Sequence, residues 1–147
     1  MLRLRSATAQ DAQAIHALLE RDGLPTSDLA LSRPEFVVAF EGDDLIGVGA
    51  LERFGTTALL RSVAVAADRR GAGVGQSIVR ELEQRARAVG ITELILLTQT
   101  HASFYQHQGY RVIERGNVGP LVQASEEFRS LCPASATCMA KSLAEPL

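Results

Sequence analysis

The chain has 147 residues, 46% of them hydrophobic and 22% charged, and its 15 basic and 17 acidic side chains leave a net charge of −2. With a mean hydropathy of +0.06, this is the balance of a globular domain with one core, so it excludes a disordered or collagenous chain and supplies no sequence-wide basic field for nucleic acid. No apolar run approaches the roughly 18 residues of a membrane span, since the longest, near Leu45 to Leu51 and Val63 to Ala67, are strand-sized.

Leu2 and Leu4 alternate with Arg3 and Arg5 and predict a first strand, without the apolar stretch of a secretory signal, so a cytoplasmic address is expected. Thr8 with Asp11 has the form of a capping box ahead of the helical positions Ile15, Leu18 and Leu19. Gly23-Leu24-Pro25 breaks that helix, and Asp28 to Ser32 reads as a short second helical piece stopped by Pro34, its polar residues available to a substrate entrance. Glu35 to Phe40 and Asp44 to Arg53 form a predicted hairpin around Glu41-Gly42-Asp43, and Ala58 to Val65 follows Gly55-Thr56 as a third long strand, broken by Arg61.

From Val74 the apolar positions Val74, Ile78, Leu82, Ala86 and Val89 mark one buried helical face, which Gly90 ends. Leu94 to Leu97 reads as a buried strand, Ser103 to Gln108 as a short helix closed by Gly109, Tyr110 to Ile113 as a strand and Ala136 to Ala140 as the last one. Strands and helices are mixed without repeats, so the class is α+β and residues 1–147 read as a single domain, with 116–141 as a substrate-side C-terminal segment and last strand.

Arg70-Gly71-Ala72-Gly73-Val74-Gly75 lies where a strand turns into the long helix, at a place where unpaired backbone N–H groups and the positive end of the helix dipole favour an anion. No acidic residue occurs from Arg69 through Arg80 to cancel that field. Packing alone is the competing explanation for the glycines. Gln76 stands where a dinucleotide fingerprint needs its third glycine, and a P-loop needs Lys followed by Ser or Thr, so both common phosphate motifs fail.

Arg70, Gly73 and Gly75 resemble the acyl-coenzyme A loop of the GNAT superfamily of N-acetyltransferases: Gln or Arg, two residues, Gly, one residue, Gly or Ala. The strand Leu60-Arg-Ser-Val-Ala-Val before the loop, the amphipathic helix after it and Phe104-Tyr105-Gln-His-Gln-Gly109-Tyr110 extend the likeness over roughly Leu2 to Val112. The resemblance implies the GNAT fold, a twisted mixed sheet with a splayed central parallel strand pair and helices on both faces. It implies that main-chain groups of Val63, Ala64 and Val65 pair with the pantetheine arm of acetyl-CoA, and that the pyrophosphate is held by Arg70, Gly71, Ala72, Gly73, Val74, Gly75 and Gln76. Tyr105 matches the tyrosine that protonates the coenzyme A thiolate; packing beside Phe104 is its plainer reading. Thr98-Gln-Thr100 and Ser130-Leu-Cys132-Pro-Ala-Ser-Ala-Thr-Cys138-Met more narrowly resemble amino-acid N-acetyltransferases associated with arsenic-resistance operons and, more distantly, the acetyltransferase domain of N-acetylglutamate synthase.

Strict alternation puts Glu52 on the face of Ile46, Val48 and Ala50, where it is either an acceptor of the amine proton or a strand-end residue paired with an arginine. Alternation likewise groups Arg61 with Leu59, Val63 and Val65, where its charge needs a substrate carboxylate or an internal partner such as Glu52. Thr98 and Thr100 fall on one face at a strand end and offer hydroxyl contacts to substrate or to the local turn. Cys132 and Cys138 are six residues apart without a third cysteine, and His16, His101 and His107 form no zinc-type spacing, so no metal is expected.

The leading expectation is therefore direct acetyl transfer from acetyl-CoA to a small amino-acid-like amine, with a toxic amino-acid or organoarsenical analogue and a plain amino acid such as glutamate both open as acceptors. The expected partner is that small molecule, not nucleic acid or a membrane, and a homodimer is left open. A non-catalytic acyl-CoA sensor and a thiol-based arsenic-binding protein are the alternatives.

Overall fold

Leu2 and Leu4 open a mixed sheet whose strands are β1 (Leu2–Ser6), β2 (Glu35–Glu41), β3 (Asp44–Phe54), β4 (Thr57–Val65), β5 (Glu93–Thr98), β6 (Arg111–Val112) and β7 (Thr137–Ser142). Their spatial order is β1-β2-β3-β4-β5-β7-β6, in a computed structural model that describes residues 2–24, 26, 34–125, 128 and 135–144. The expected helical piece at Asp28 to Ser32 and the thiol of Cys132 lie outside the described residues. The hairpin loops after β2 and β3 each put a glycine first: Gly42 at φ 60° and Gly55 at φ 69°, a conformation closed to most side chains.

Among the described residues, four helices pack on this sheet: α1 (Ala12–Arg21), α2 (Val74–Ala88), α3 (Ala102–His107) and α4 (Pro120–Gln123). Arg5 and the main chain of Thr8 hold the Asp11 carboxylate, which opens a 3-10 turn leading into α1. Ile15, Leu18 and Leu19 of α1 cover Val38, Val48 and Ala64. The opposite face belongs to α2, whose Val74, Ile78, Val79, Leu82 and Ala86 bury against Val37, Ala39, Leu51, Leu60, Leu94 and Leu96. Each such aliphatic side chain contributes about 1.5–3 kcal/mol, so packing, not the poor helix propensity of Val-Gly at its start, sets this helix. Val118 and Val122 cover Leu59, Ile95, Cys138 and Ala140 beside the α1 side of the sheet. No helix among the described residues is long and apolar enough to cross a membrane.

Of the strand pairs, β4 with β5 is the parallel one, and it is short: Thr57 with Glu93, Ala58 with Leu94, Leu59 with Ile95. Beyond Leu59 the strands part, β4 staying with β3 to Val65 and β5 with β7 to Thr98. The sheet is thus splayed where the resemblance placed the splay, with helices on both faces.

Two bulges alter the side-chain faces that strict alternation predicts. Ala39 pairs with Gly47 and Phe40 with Leu45, leaving Ile46 as an extra residue. Val48 pairs with Ala64 and Ala50 with Arg61, so Ser62 and Val63 together oppose Gly49, and Ser62 adopts φ 59°. Each insertion flips the strand's parity. Ile46, Val63 and Val65 consequently face α2, while Val48, Ala50, Glu52, Leu59, Arg61 and Ala64 share the other face. This corrects the grouping of Arg61 with Val63 and Val65 and of Glu52 with Ile46.

Candidate active site

After Val65 the chain makes a 3-10 turn, Ala67–Arg69, and then bends through Gly71 (φ 84°) and Gly73 (φ 83°) into α2. Gly73 is the residue that caps the helix, and it has no side-chain oxygen to offer. The first helical bond runs from the Ser77 N–H to the Gly73 carbonyl at 3.0 Å. The N–H groups of Val74, Gly75 and Gln76 therefore have no acceptor within the helix, and the first turn carries no acidic residue. A Cβ on Gly71 or Gly73 would meet nothing within 4 Å. Packing does not explain these two glycines; their left-handed backbone does. At Gly75 an added Cβ would make ordinary contact with the Phe104 ring at 3.5 Å.

Both flanking arginines are engaged. Arg69 pairs with Glu41 at 3.1 Å and Asp68 at 3.0 Å, and Arg70 reaches Asp22 at the end of α1 (2.8 Å) and the Val65 carbonyl (3.4 Å). Arg70 is 55% exposed, so its pair with Asp22 is one that water or an anion readily replaces. Residues Val63, Ala64 and Val65 lie on the stretch of β4 that has left β5. Loop and gap are contiguous, since the turn that leads to the glycines begins directly after Val65. A separate open groove of about 490 Å³ lies beside the loop, but Asp11, Asp43, Asp44 and Asp68 line it against the cation Arg69, and the resulting acidic balance opposes a diphosphate.

Tyr105 lies on α3, 8% exposed, within the cluster beneath α2. Its ring meets Phe104 edge-on at 5.0 Å and Tyr110 at 5.6 Å. Tyr110 N–H donates to the Tyr105 carbonyl and Gly109 N–H to that of Gln106, a Schellman closure with Gly109 at φ 96°. Glu52 and Arg61 are joined at 2.9 Å, with the Arg61 side chain fully buried and that of Glu52 11% exposed. Their mutual pairing is therefore part of the structure. It sits on the face opposite α2, beside the surface covered by Val118, Val122 and Phe128.

Thr98 and Thr100 do not share a face. β5 ends at Thr98, which is buried and whose Oγ1 accepts the His101 N–H at 3.1 Å, while Thr100 lies exposed in the turn with its hydroxyl 2.9 Å from His101 Nδ1. The turn breaks the alternation that joined them. Cys138 is buried, and burial pushes its thiol up to about 11, against a smaller opposite pull from Arg115. His107 Nδ1 lies 2.7 Å from the Ser103 carbonyl, and no three metal-ligating side chains converge among the described residues.

A buried group absent from the sequence reading joins these elements: Glu83 of α2 accepts from the Tyr110 hydroxyl at 2.9 Å and from Lys141 Nζ at 3.1 Å. Burial first, and the Glu83 carboxylate second, hold the Tyr110 phenol in its protonated form. The signal was available, because Glu83 falls one turn after Val79 and next to Leu82 on the apolar stripe of α2.

The fold is thus a mixed sheet opened along its parallel pair, with a glycine-turned helix start beside the opening. Sequence comparison makes the class specific: the chain belongs to the acetyltransferase (GNAT) domain family, whose model matches residues 32–112. The uncharacterized N-acetyltransferase YjcF of Bacillus subtilis (strain 168) is 35% identical over 80 residues, 54% of this chain and 57% of YjcF, so the match spans little more than half of that relative. N-acetylglutamate synthase from Neisseria gonorrhoeae, solved with coenzyme A and N-acetyl-glutamate, superposes with a TM-score of 0.85 at 19% identity, covering 99% of this chain and 36% of its own. Rv2747 from Mycobacterium tuberculosis, solved with CoA and NLQ, gives a TM-score of 0.81 at 25% identity over 95% of this chain and 98% of its own.

Proposed function

We propose that this protein is a cytoplasmic N-acetyltransferase that passes the acetyl group of acetyl-CoA directly to the amine of a small amino-acid-like acceptor. The observation that carries this reading is the parting of β4 from β5 after Leu59, next to the N–H groups at the head of α2. The coenzyme supplies an acetyl thioester and a diphosphate. Arg70 and the backbone from Gly71 to Gln76 hold the phosphates, and the main chain of Val63, Ala64 and Val65 aligns the arm as an added strand. Family membership and the coenzyme A found in the N-acetylglutamate synthase and Rv2747 structures support this reading.

On the opposite face, Glu52 Oε accepts a proton from the acceptor amine, directly or through water, so that the nitrogen lone pair is available to form the new N–C bond. Tyr105 Oη gives its proton to the sulfur as the C–S bond breaks. Arg61, fully buried against Glu52, orients a carboxylate of the acceptor with its planar fork by exchanging part of that pairing for it, and Thr98 and Thr100, which point apart, offer at most one hydroxyl contact each. The likeness of the Cys132-to-Cys138 segment to arsenic-associated enzymes supports an organoarsenical or other toxic amino acid as acceptor, and the likeness to N-acetylglutamate synthase supports glutamate.

The test is release of free coenzyme thiol, together with product mass, across a panel of α-amino acids, their decarboxylated amines and an arsenic-bearing amino acid. Acetylation of carboxylated amines in preference to the decarboxylated set is expected. Coenzyme binding without transfer to any amine refutes the enzyme reading in favour of a sensor. Arsenical binding that needs the cysteines and no coenzyme favours the thiol protein.

A further inference from the structure

Lys141, Glu83 and Tyr110 form a charged cluster that the transfer chemistry leaves unused. Glu83 is 5% exposed on the apolar stripe of α2, where a carboxylate persists only with strong compensation. Lys141 reaches it from β7, at 3.1 Å to each carboxylate oxygen, and its Nζ also donates to the Gln108 carbonyl at 2.8 Å. Gln108 is the C-terminal cap of α3, so one ammonium neutralises α2 and closes α3. Tyr110 completes the link, its hydroxyl on Glu83, its N–H on the Tyr105 carbonyl and its ring edge-on to that of Tyr105. Gly109 lets the lysine pass, since an added Cβ would lie 3.3 Å from Lys141 Cε. At the other end of the pair, Phe104 packs by Gly75 in the first turn of α2.

We propose that Lys141 is a positioning residue for Tyr105: with Glu83 and Tyr110 it pins the end of α3 to α2 and so fixes where Tyr105 stands relative to the cofactor loop at the head of the same helix. This rests on the reading of Tyr105 as the proton donor. A six-residue helix cannot hold its own geometry in water, and a misplacement of about 1 Å costs on the order of a hundredfold in rate. The cluster therefore acts on turnover and leaves the coenzyme site, built from the loop, in place.

The experiment is a cycle of Lys141→Met, Tyr105→Phe and the double variant, each measured for kcat, for KM of both substrates and for coenzyme affinity by calorimetry. Lys141→Met is expected to lower kcat by about tenfold to a hundredfold with both KM values within about twofold. Lys141→Arg, which keeps cation and donors, restores most of the loss. In the Tyr105→Phe background Lys141→Met is expected to cost less than about a further twofold, because the proton donor it positions is gone. If Lys141→Met does not fold, Tyr110→Phe takes its place in the same cycle, with a smaller loss and the same non-additivity. Multiplicative losses in the double variant, a rise in KM with kcat unchanged, or no rescue by Lys141→Arg overturn the positioning role while leaving Tyr105 as donor. Wild-type kcat in Tyr105→Phe alone overturns the donor reading, and the positioning role falls with it.

Discussion

Gly49 lies opposite the bulge at Ser62 and Val63 and faces α2 so closely that a methyl group there would sit 2.6 Å from Ile78 Cγ2 and 2.9 Å from Leu82 Cδ1. Carbon atoms rest about 3.5–4.0 Å apart, so Gly49→Ala demands a displacement of roughly 1 Å. Ile78 cannot swing aside, because a β-branched side chain in a helix has one strongly preferred χ1 rotamer. The helix must therefore move against its own buried side chains, which puts the cost near the top of the overpacking range, about 3 kcal/mol. At about 3 °C per kcal/mol for a chain of this size, the melting temperature falls by about 9 °C. On the proposed reading of the glycine loop at the head of that helix, coenzyme affinity falls as well. Thermal melts of Gly49→Ala, Ile78→Ala and the double variant provide the check. Ile78→Ala alone costs about 2–5 kcal/mol through the cavity it leaves. In the double variant the methyl group introduced by Gly49→Ala enters that cavity, so the combined loss is smaller than the sum by about 1 kcal/mol or more. A melting point for Gly49→Ala within about 2 °C of the parent, or strict additivity, refutes the close approach of strand and helix.

Gly73→Val places a β-branched residue at φ 83°; it is expected to cost about 1–2 kcal/mol in stability and to weaken coenzyme binding at least about tenfold, and unchanged calorimetric affinity refutes the assignment of the loop. Glu52→Ala removes the 2.9 Å partner of one Arg61 nitrogen and lowers stability by about 1.5–3 kcal/mol, the range for a hydrogen bond to a charged group, whereas Glu52→Gln retains a hydrogen-bond acceptor, melts higher than the alanine variant and still loses turnover; equal melting points contradict the pairing. Arg5 first, and the Thr8 main chain second, hold the Asp11 carboxyl at about 2, below its ordinary 3.8. That group's stabilisation is thus fully present above its ordinary value of 3.8 and is lost as the pH falls towards 2. Acid unfolding of Asp11→Asn should lack this component, and superimposable acid limbs would exclude it. Cys138, buried and held protonated to about 11, should resist a neutral-pH alkylating reagent until the chain unfolds, as peptide mass spectrometry can show.

Most strands and helices were legible because their signals are local: period-two runs in β2 to β4, the Val74-to-Ala86 stripe, and glycines after α1, β2, β3, α2 and α3; the single turn α4, with no periodic stripe of its own, was not read. The loop at Arg70 to Gln76 was legible for the same reason. Side-chain faces past Ile46 and Ser62 were not, because a bulge exists only between two paired strands and nothing in Leu45-Ile46 or Arg61-Ser62-Val63 alone announces it. Glu52 with Arg61 was nameable as a pair, since both bulges lie outside the stretch that joins them. Thr100 was misplaced because the strand stops at Thr98, whose hydroxyl captures the next turn. Lys141 was invisible for a different reason: its partners, Gln108 and Glu83, lie 33 and 58 residues away, and only the tertiary fold sets β7 beside α3 and α2.

The three residue pairs from Thr57–Glu93 to Leu59–Ile95 are the strand pairing between two leaves, one made of β1 to β4 and the other of β5, β7 and β6, and the Thr92 N–H on the Thr56 carbonyl closes the end of that seam. The Val74–Ala88 helix ties the two leaves together from one side, burying Leu51 and Leu60 of the first and Leu94 and Leu96 of the second, so the helix that carries the glycine turn at its head is also the clasp of the opened sheet.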